Sequence, residues 1–344
     1  MSAAVVQSPP RRWRRIAPFS IALAALVVIA FVSIGVGRYP LSPGEVLGVL
    51  WSGLHDATEG TAGAIVWQIR LPRIGVAALV GAALSVAGAA FQHLFRNPLV
   101  APDTLGVSAG AALGAVLAIV FGARLVAIEA AAFAGGLGAV GIVMLVAHRL
   151  PARDPLVTLI LTGVVVASLL GAGISLAKTI ADPYNELPAI TFWLMGSFAS
   201  STYRELVAIV IPVVLACGAL LALAWRIDLL ALAEDEARAL GVRTTALRLV
   251  VIASATLATA AAVAVSGIIG WVGLIVPHMA RLIVGPAFAR LLPLAAVLGA
   301  GLMLAIDSVA RASLAIEVPP GILTAVIGTP AFIALLARAR RDLF

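Results

Sequence analysis

Charge is what this 344-residue chain has least of. Asp, Glu, Lys and Arg together make up 11% of it, against about 25% in an average soluble domain, while apolar residues reach 62%. A surface that poor in charge excludes a soluble globular protein. Cysteine is almost absent too. The single Cys217 lies inside an apolar run, which excludes an intrachain disulfide and a cysteine-only metal site and leaves packing as its role. The four histidines, His55, His93, His148 and His278, are scattered without metal-ligand spacing. No Gly-Lys-Ser/Thr follows any glycine-rich stretch, so a phosphate-cradling P-loop is excluded. No paired carboxylates suggest acid–base chemistry.

Long apolar runs, glycine and proline are abundant instead. The 32 glycines and 19 prolines suit transmembrane helices, where both are more frequent than in soluble ones. A span needs roughly 20 apolar residues. Ten candidates follow: Pro18–Gly37, Ile74–Leu94, Thr104–Phe121, Leu125–His148, Val157–Ile180, Leu206–Trp225, Leu247–Ser266, Ile268–Ile283, Leu291–Ala312 and Ile322–Ala337. The fold class expected is an all-α integral membrane protein, with the whole chain as one domain. Its first run follows Arg11, Arg12, Arg14 and Arg15. A signal peptide would have an apolar core of about 7–15 residues and a small-residue cleavage site. This run is longer and ends at GRYPLSP, which favours a retained helix.

Lys and Arg in short loops set the orientation. With the N-terminus in the cytoplasm, the inner side holds sixteen of the 23 basic residues and the outer side seven. Both termini are then cytoplasmic, with a basic tail over residues 1–17. The net charge of +7 reflects this topology and points to no nucleic-acid partner.

Four polar interruptions break the apolar pattern. In Ser266–Gly285, Pro277, His278 and Arg281 interrupt a greasy segment. They fall near the inner end of the eighth candidate span, where an interfacial anchor with a Pro-shaped helix end and a broken helix inside a bundle are both open readings. In Arg96–Val116, Asn97 and Pro98 make a tight inner loop, and Asp103 or Thr104 is placed to cap the next helix. Gly106, Gly110 and Gly114, four apart, allow close helix packing. The stretch Asp228–Arg248 is the longest polar inner segment. Leu229, Leu230, Leu232, Ala233, Ala237 and Leu240 alternate with Glu234, Asp235, Glu236 and Arg238, and Gly241 is placed to end a helix. A solvated loop helix and a docking element for a soluble partner both fit. Finally, Arg70 and Arg73 lie on the outer side, where basic residues are sparse, with Arg311 near the outer end of the ninth span. Asp307 can pair with Arg311 along a helix. Headgroup contact and an outward basic patch for an acidic partner both fit. Ser42, Pro43 and Glu45 mark the start of a short outer helix.

Several of these stretches together resemble a known family. RLPR (70–73), VGAALSVAGAAFQHLFRNPLVAPDTLGVSAGAALGA (80–115), FWLMGS (192–197), ARALGV (237–242), SGIIGWVGLIVPHMAR (266–281) and PPGILTAVIGTPAFIALL (319–336) are similar to the FecCD-type permeases. These are the membrane subunits of bacterial importers for iron–siderophores, haem and vitamin B12. The resemblance runs from about Arg70 to the C-terminus, and its signature here includes Asn97, Pro98, Gly106, Gly110, Gly273, Pro277, His278 and Arg281.

The resemblance implies a type II ABC importer permease fold with ten helices. It implies a second copy of the chain, two cytoplasmic ATPase subunits that bind ATP and Mg, and a periplasmic or surface substrate-binding protein. The chain itself is expected to hold no cofactor and no metal, and to lie in membrane lipid as a multi-pass protein of the bacterial inner membrane. Residues 228–245 become the coupling loop, with Glu234, Asp235, Glu236, Ala237, Arg238, Ala239, Leu240, Gly241 and Val242 seated on the ATPase. Arg70, Arg73 and Arg311 match positions that pair with acidic residues of the binding protein. Asp154, Pro155, Leu156, Val157 and Thr158 correspond to the inner gate. The sequence departs from the family where GPAFARLL keeps only Arg290 of a frequent Gly-x-Asp-His-Arg cluster. Trp271 also stands where Phe is frequent, a variant that molybdate-type importers share. The expected cargo is an iron chelate, with haem, cobalamin or molybdate as alternatives. Two other classes are weaker. An ion-coupled secondary transporter would keep mid-membrane ionisable relays, and only Asp307 lies well inside a span. An intramembrane protease built on Ser108, His93 and Asp103 has no supporting motif.

Overall fold

The computed structural model describes residues 12–53, 60–151, 154–313 and 316–339. The expected basic tail lies largely outside them, as do His55 and Arg153. Every regular element among the described residues is helical. Along the chain, α1 (Arg12–Gly35) is followed by α2 (Pro43–Gly53) and the short α3 (Thr61–Ala64). A π-helical turn, Ile65–Arg70, feeds α4 (Leu71–Leu94) without a break. A 3-10 turn at Pro102–Leu105 leads to α5 (Val107–Val120), then α6 (Leu125–Arg149), α7 (Pro155–Ile180), α8 (Glu186–Met195) and α9 (Tyr203–Ala222). The chain ends with α10 (Ala224–Leu229), α11 (Glu234–Ala239), α12 (Thr244–Ser266), α13 (Val272–Val284), α14 (Phe288–Ala312) and α15 (Pro320–Ala339).

Seven helices are long and apolar enough to cross a membrane, those beginning at α1, α3–α4, α6, α7, α9, α12 and α14. Three more apolar stretches, α5, α13 and Pro320–Ala334 of α15, are shorter. Each of the ten expected spans thus has a helix, although the three short ones do not establish a count of ten by length.

Helices α4 and α12 form the centre. Their apolar stretches are mostly buried inside the chain, whereas α1 and α7 present most of theirs outward. The centre is built from small residues. Ala77, Ala83, Ala87 and Ala90 of α4, and Ala255, Ala258 and Ala262 of α12, are fully buried. Small side chains let backbones approach, which drives helix association where lipid removes the hydrophobic advantage. A Cβ on Gly81 would stand 2.2 Å from the Gly299 carbonyl oxygen of α14, and one on Gly110 would stand 2.3 Å from that of Gly135 in α6.

Local signals behave as chemistry dictates. Ser42 and Glu45 form the expected cap of α2: the Ser42 N–H donates to Glu45 Oε2 at 2.7 Å. Asp154 caps α7, its Oδ1 accepting from Leu156 N at 2.9 Å, with Pro155 at the first helical position. Two expectations need correction. Gly106 is not on the packing face of α5; it takes φ 78° at the turn before it, a left-handed conformation glycine adopts without strain. Neither Asp103 nor Thr104 caps α5. Asp103 accepts from the Ser108 hydroxyl, and Thr104 Oγ1 accepts from Ala101 N at 3.2 Å.

Candidate functional site

The helices deliver polar residues to two opposite ends of the bundle. One end gathers the loops around residues 96–103, 226–243 and 285–288. The other gathers those around 36–42, 197–203 and 316–319.

At the first end, the single amphipathic helix expected over Asp228–Gly241 is divided. Leu229 closes α10, Leu230 is buried in the turn after it, and α11 begins only at Glu234. Gly241 ends α11 as expected. It takes φ 79°, and the Val242 N–H returns to the Ala237 carbonyl at 3.1 Å. Ala237 and Val242 turn inward and are buried, while Leu240 is 59% exposed. Asp235, Glu236, Arg238 and Ala239 are exposed around it. Glu234 fixes α11 to α12: it accepts from Arg248 Nη2 at 3.2 Å and Thr244 Oγ1 at 3.3 Å, and pairs with Arg238 on its own helix. Burial pushes the Glu234 carboxyl up, but Arg248 and Arg238 outweigh it and hold it below the usual carboxylate range. An exposed apolar side chain on a short helix this firmly tied is suited to being covered by another protein.

Helix α13 explains how the apolar segment tolerates its proline. Pro277 is the sixth residue of α13, not its end, so the expectation of a Pro-shaped terminus is corrected. A proline inside a helix cannot bond the carbonyl four residues back and clashes with it. That carbonyl belongs to Gly273. Gln92 of α4 supplies the missing donor: its Nε2 lies 3.4 Å from the Gly273 carbonyl and 3.0 Å from that of Leu274. Glycine at 273 and at 88 makes room, since a Cβ on Gly88 would stand 1.9 Å from the Gly273 oxygen. The break is satisfied by protein, the condition for irregular backbone at membrane depth. His278 and Arg281 lie on the last two turns, both partly exposed. The helix begins at Val272, four residues after the expected start, because Gly267 and Trp271 both take left-handed φ, 69° and 70°. For a tryptophan that is a strained conformation. Its ring is held edge-on against Phe332 of α15, centroids 6.0 Å apart.

At the opposite end the three expected arginines converge, but not as an exposed patch. Arg70 is 5% exposed, and Arg73 and Arg311 are 6% exposed. Arg73 forks onto two carboxylates, with Nη2 2.8 Å from Asp307 Oδ1 and 2.9 Å from Glu317 Oε2. Arg311 Nε lies 3.0 Å from Asp307 Oδ2, the helical pair the spacing predicted. Its Nη2 donates to Ser33 Oγ at 2.8 Å and its Nη1 to the Val36 carbonyl at 3.1 Å. Arg70 donates to the carbonyls of Ile34 and Tyr39. The outward basic patch is thus corrected to a buried network tying α1, α4, α14 and the 316–319 loop. The physical reason is desolvation: guanidiniums this buried need acceptors close by. Three arginines against two acids leave one excess positive charge. Glu317 was missed, although an acid just before Pro319 and Pro320 stood out in an otherwise apolar stretch. Gln92 was missed as well; a lone amide in an alanine-rich span is its signal.

Asp154 to Thr158, the expected gate, form the first turn of α7, where Thr158 Oγ1 also donates to the Asp154 carbonyl at 3.1 Å. Asn97 Oδ1 accepts from Leu99 N at 2.9 Å, the tight turn expected before Pro98 and the loop to α5. Among the described residues, no group of three or more His, Cys, Asp or Glu is arranged to hold a metal ion.

Comparison with known proteins agrees with this geometry. The chain is 42% identical over 317 residues to the molybdate import system permease protein MolB of Haemophilus influenzae, covering 92% of this chain and 94% of that one. It is 39% identical to the cobalamin import system permease protein BtuC of Halobacterium salinarum, covering 97% of this chain and 91% of the relative. A solved structure described as an inward-facing conformation of a metal-chelate type ABC transporter superposes with a TM-score of 0.84 at 40% identity, covering 93% of this chain and 98% of that one. The relatives are transporter permease subunits rather than enzymes. The FecCD transport family matches residues 25–338, and this chain, a multi-pass membrane protein, belongs to it.

Proposed function

We propose that this chain is the membrane subunit of an ATP-driven importer that carries an iron chelate, such as a ferric siderophore, across the bacterial inner membrane. Two copies enclose the path, each with ten spans and both termini in the cytoplasm. Two ATPase subunits bind ATP and Mg and seat against Glu234–Val242. A substrate-binding protein docks at the opposite end, over Arg70, Arg73 and Arg311. ATP-driven closure of the ATPases moves α11 and rotates the bundle, with the Asp154–Thr158 turn as the inner gate.

The observation that carries this reading is α11 itself. A short helix held by Glu234 to α12, with Leu240 outward, presents a rigid, partly apolar contact where a soluble partner can push. Two further observations support it. The excess positive charge of the Arg70–Arg73–Arg311 network suits an acidic partner. And the acids inside the long apolar helices of the described residues, Glu129, Glu205 and Asp307, are each paired with an arginine, which disfavours the proton relay of a secondary transporter.

Molybdate is the second reading for the cargo, favoured by the 42% identity to a molybdate permease and by Trp271. Uptake in a deletion strain, with and without this gene, tests both. The panel is radiolabelled ferric siderophore, molybdate, haem and cobalamin, each with and without ATP depletion. Gene-dependent, ATP-dependent uptake of the iron chelate supports the first reading, and of molybdate alone the second. Uptake that survives ATP depletion but fails with an uncoupler overturns both.

A further inference from the structure

The stretch Asp228–Leu232, just before α11, is held from outside, and one arginine does most of the holding. Arg96, two residues past the end of α4, donates from Nε to the Leu230 carbonyl at 3.0 Å. Its Nη2 donates to the carbonyls of both Leu230 and Leu232. Leu230 lies in the turn that closes α10, and Leu232 lies two residues before α11. Arg96 takes φ 49°, a region uncommon for any residue with a Cβ. Backbone held in such a region persists when its surroundings over-determine it, and such sites cluster at functional positions.

A second contact runs in parallel. His93, in the last turn of α4, lies with Nε2 3.5 Å from Asp228 Oδ1, and its ring packs on Phe288 with centroids 5.1 Å apart. The same Asp228 oxygen accepts from the Phe288 N–H at 2.8 Å, at the start of α14. The stretch Asp228–Leu232 is therefore tied to the inner ends of α4 and α14, while α11 is tied to α12 through Glu234.

The chemistry at Arg96 is not that of an ordinary stabilising ion pair. Its acceptors are backbone carbonyls rather than carboxylates, and its side chain lies at the surface rather than in the core. A guanidinium fork is suited to gripping two neighbouring carbonyls at once, fixing backbone position rather than side-chain packing. We infer that Arg96 is a positioning residue that transmits displacement of the α11 segment to the inner end of α4 and, through the Asn97–Ala101 loop, to α5. This rests on reading α11 as the ATPase contact.

The test uses the complete transporter, this chain with its ATPase and binding protein, in proteoliposomes loaded with ATP. The cargo is radiolabelled ferric siderophore or molybdate, whichever the parent imports, and the readout is cargo imported per ATP hydrolysed. For Arg96→Ala we expect an assembled complex that still hydrolyses ATP, with that ratio down at least about tenfold, the factor that loss of even one of its three hydrogen bonds from a charged donor corresponds to. Arg96→Lys, which keeps the charge and a donor, should recover part of it. A parent-like ratio in Arg96→Ala overturns the inference, and so does a proportional fall of import and hydrolysis together, the mark of a merely structural staple. If Arg96→Ala does not assemble, Arg96→Gln, which keeps a donor but not the fork, is read the same way, and an unchanged ratio overturns the inference. Failure of the parent to import with ATP would instead sink the reading of α11.

Discussion

Replacing Asp307 with leucine should destabilise the protein more than replacing it together with Arg73. Asp307 is fully buried and contacts Arg73 at 2.8 Å and Arg311 at 3.0 Å. Without it, Arg73 keeps only Glu317, and Arg311 keeps no carboxylate, only Ser33 and the backbone carbonyls of Val36 and residue 307. Three guanidiniums then face one carboxylate, so the excess charge of the cluster doubles. Breaking a buried pair by removing one partner costs about 3–5 kcal/mol. Burying a leucine in its place returns about 2 kcal/mol at most, so Asp307→Leu is a net loss. In the double variant Arg73→Met/Asp307→Leu the excess returns to the parent's single positive charge, and apolar replacement of whole buried pairs is often neutral. The assay is the thermal midpoint of the detergent-purified protein, read as a double-mutant cycle. Asp307→Leu should melt several degrees below the parent, with the double variant recovering much of the loss. An Asp307→Leu midpoint equal to the parent's, or strict additivity, would refute the claim that Asp307 is what holds Arg73 and Arg311 inside the chain.

Other outcomes follow from the same packing. Gly88→Ala should abolish folded protein, because its Cβ would stand 1.9 Å from a backbone oxygen of α13 that cannot move aside. Gly218→Ala in α9, where a Cβ meets nothing within 4 Å, should be neutral or slightly stabilising; size-exclusion yields compare the two. Gln92→Leu should cost about 1–3 kcal/mol through the Gly273 carbonyl left without a donor. Pro277→Ala in that background should restore part of it by returning the helix donor, measured as a melting midpoint. The depressed pKa of Glu234 also fixes a pH window. A carboxylate stabilised in the folded state contributes above its unfolded pKa and loses that contribution as pH falls through its folded one. Amide-exchange protection of residues 234–242 should stay constant from neutral pH down to about 4.3, the ordinary Glu value, and fall only below it. Loss of protection at pH 6 would contradict the Arg248 tie.

Much of this architecture was legible in order of sequence. Each expected span coincides with a helix because an apolar run has one way to satisfy its backbone in lipid. The Ser42–Glu45 cap and the Gly241 stop were readable because they depend on neighbours within four residues. What was not legible depends on partners far along the chain. Nothing near Pro277 shows that its orphaned carbonyl is met by Gln92, 181 positions earlier. Charge counting treats Arg73 as a loop cation, whereas its partner Asp307 lies 234 positions away. The start of α13 was misplaced because Ile268 and Ile269 are as apolar as the helix that follows. Only the left-handed turns at Gly267 and Trp271 break it, and tryptophan gives no warning of such a turn. The polar stretch before α11 looked like one amphipathic helix because its leucines keep a helical rhythm. The carbonyls of Leu230 and Leu232 instead accept from Arg96, 134 and 136 positions earlier.

The central claim is that transport through this chain is driven by ATP on a partner subunit. Proteoliposomes holding this chain, its ATPase and its binding protein test it most directly, with cargo uptake measured with ATP inside and no ion gradient, then with a proton or sodium gradient and no ATP. The account predicts uptake in the first case alone, abolished when Leu240 on α11 is replaced by aspartate. Uptake driven by the gradient without ATP, or ATP-driven uptake indifferent to Leu240→Asp, would contradict it.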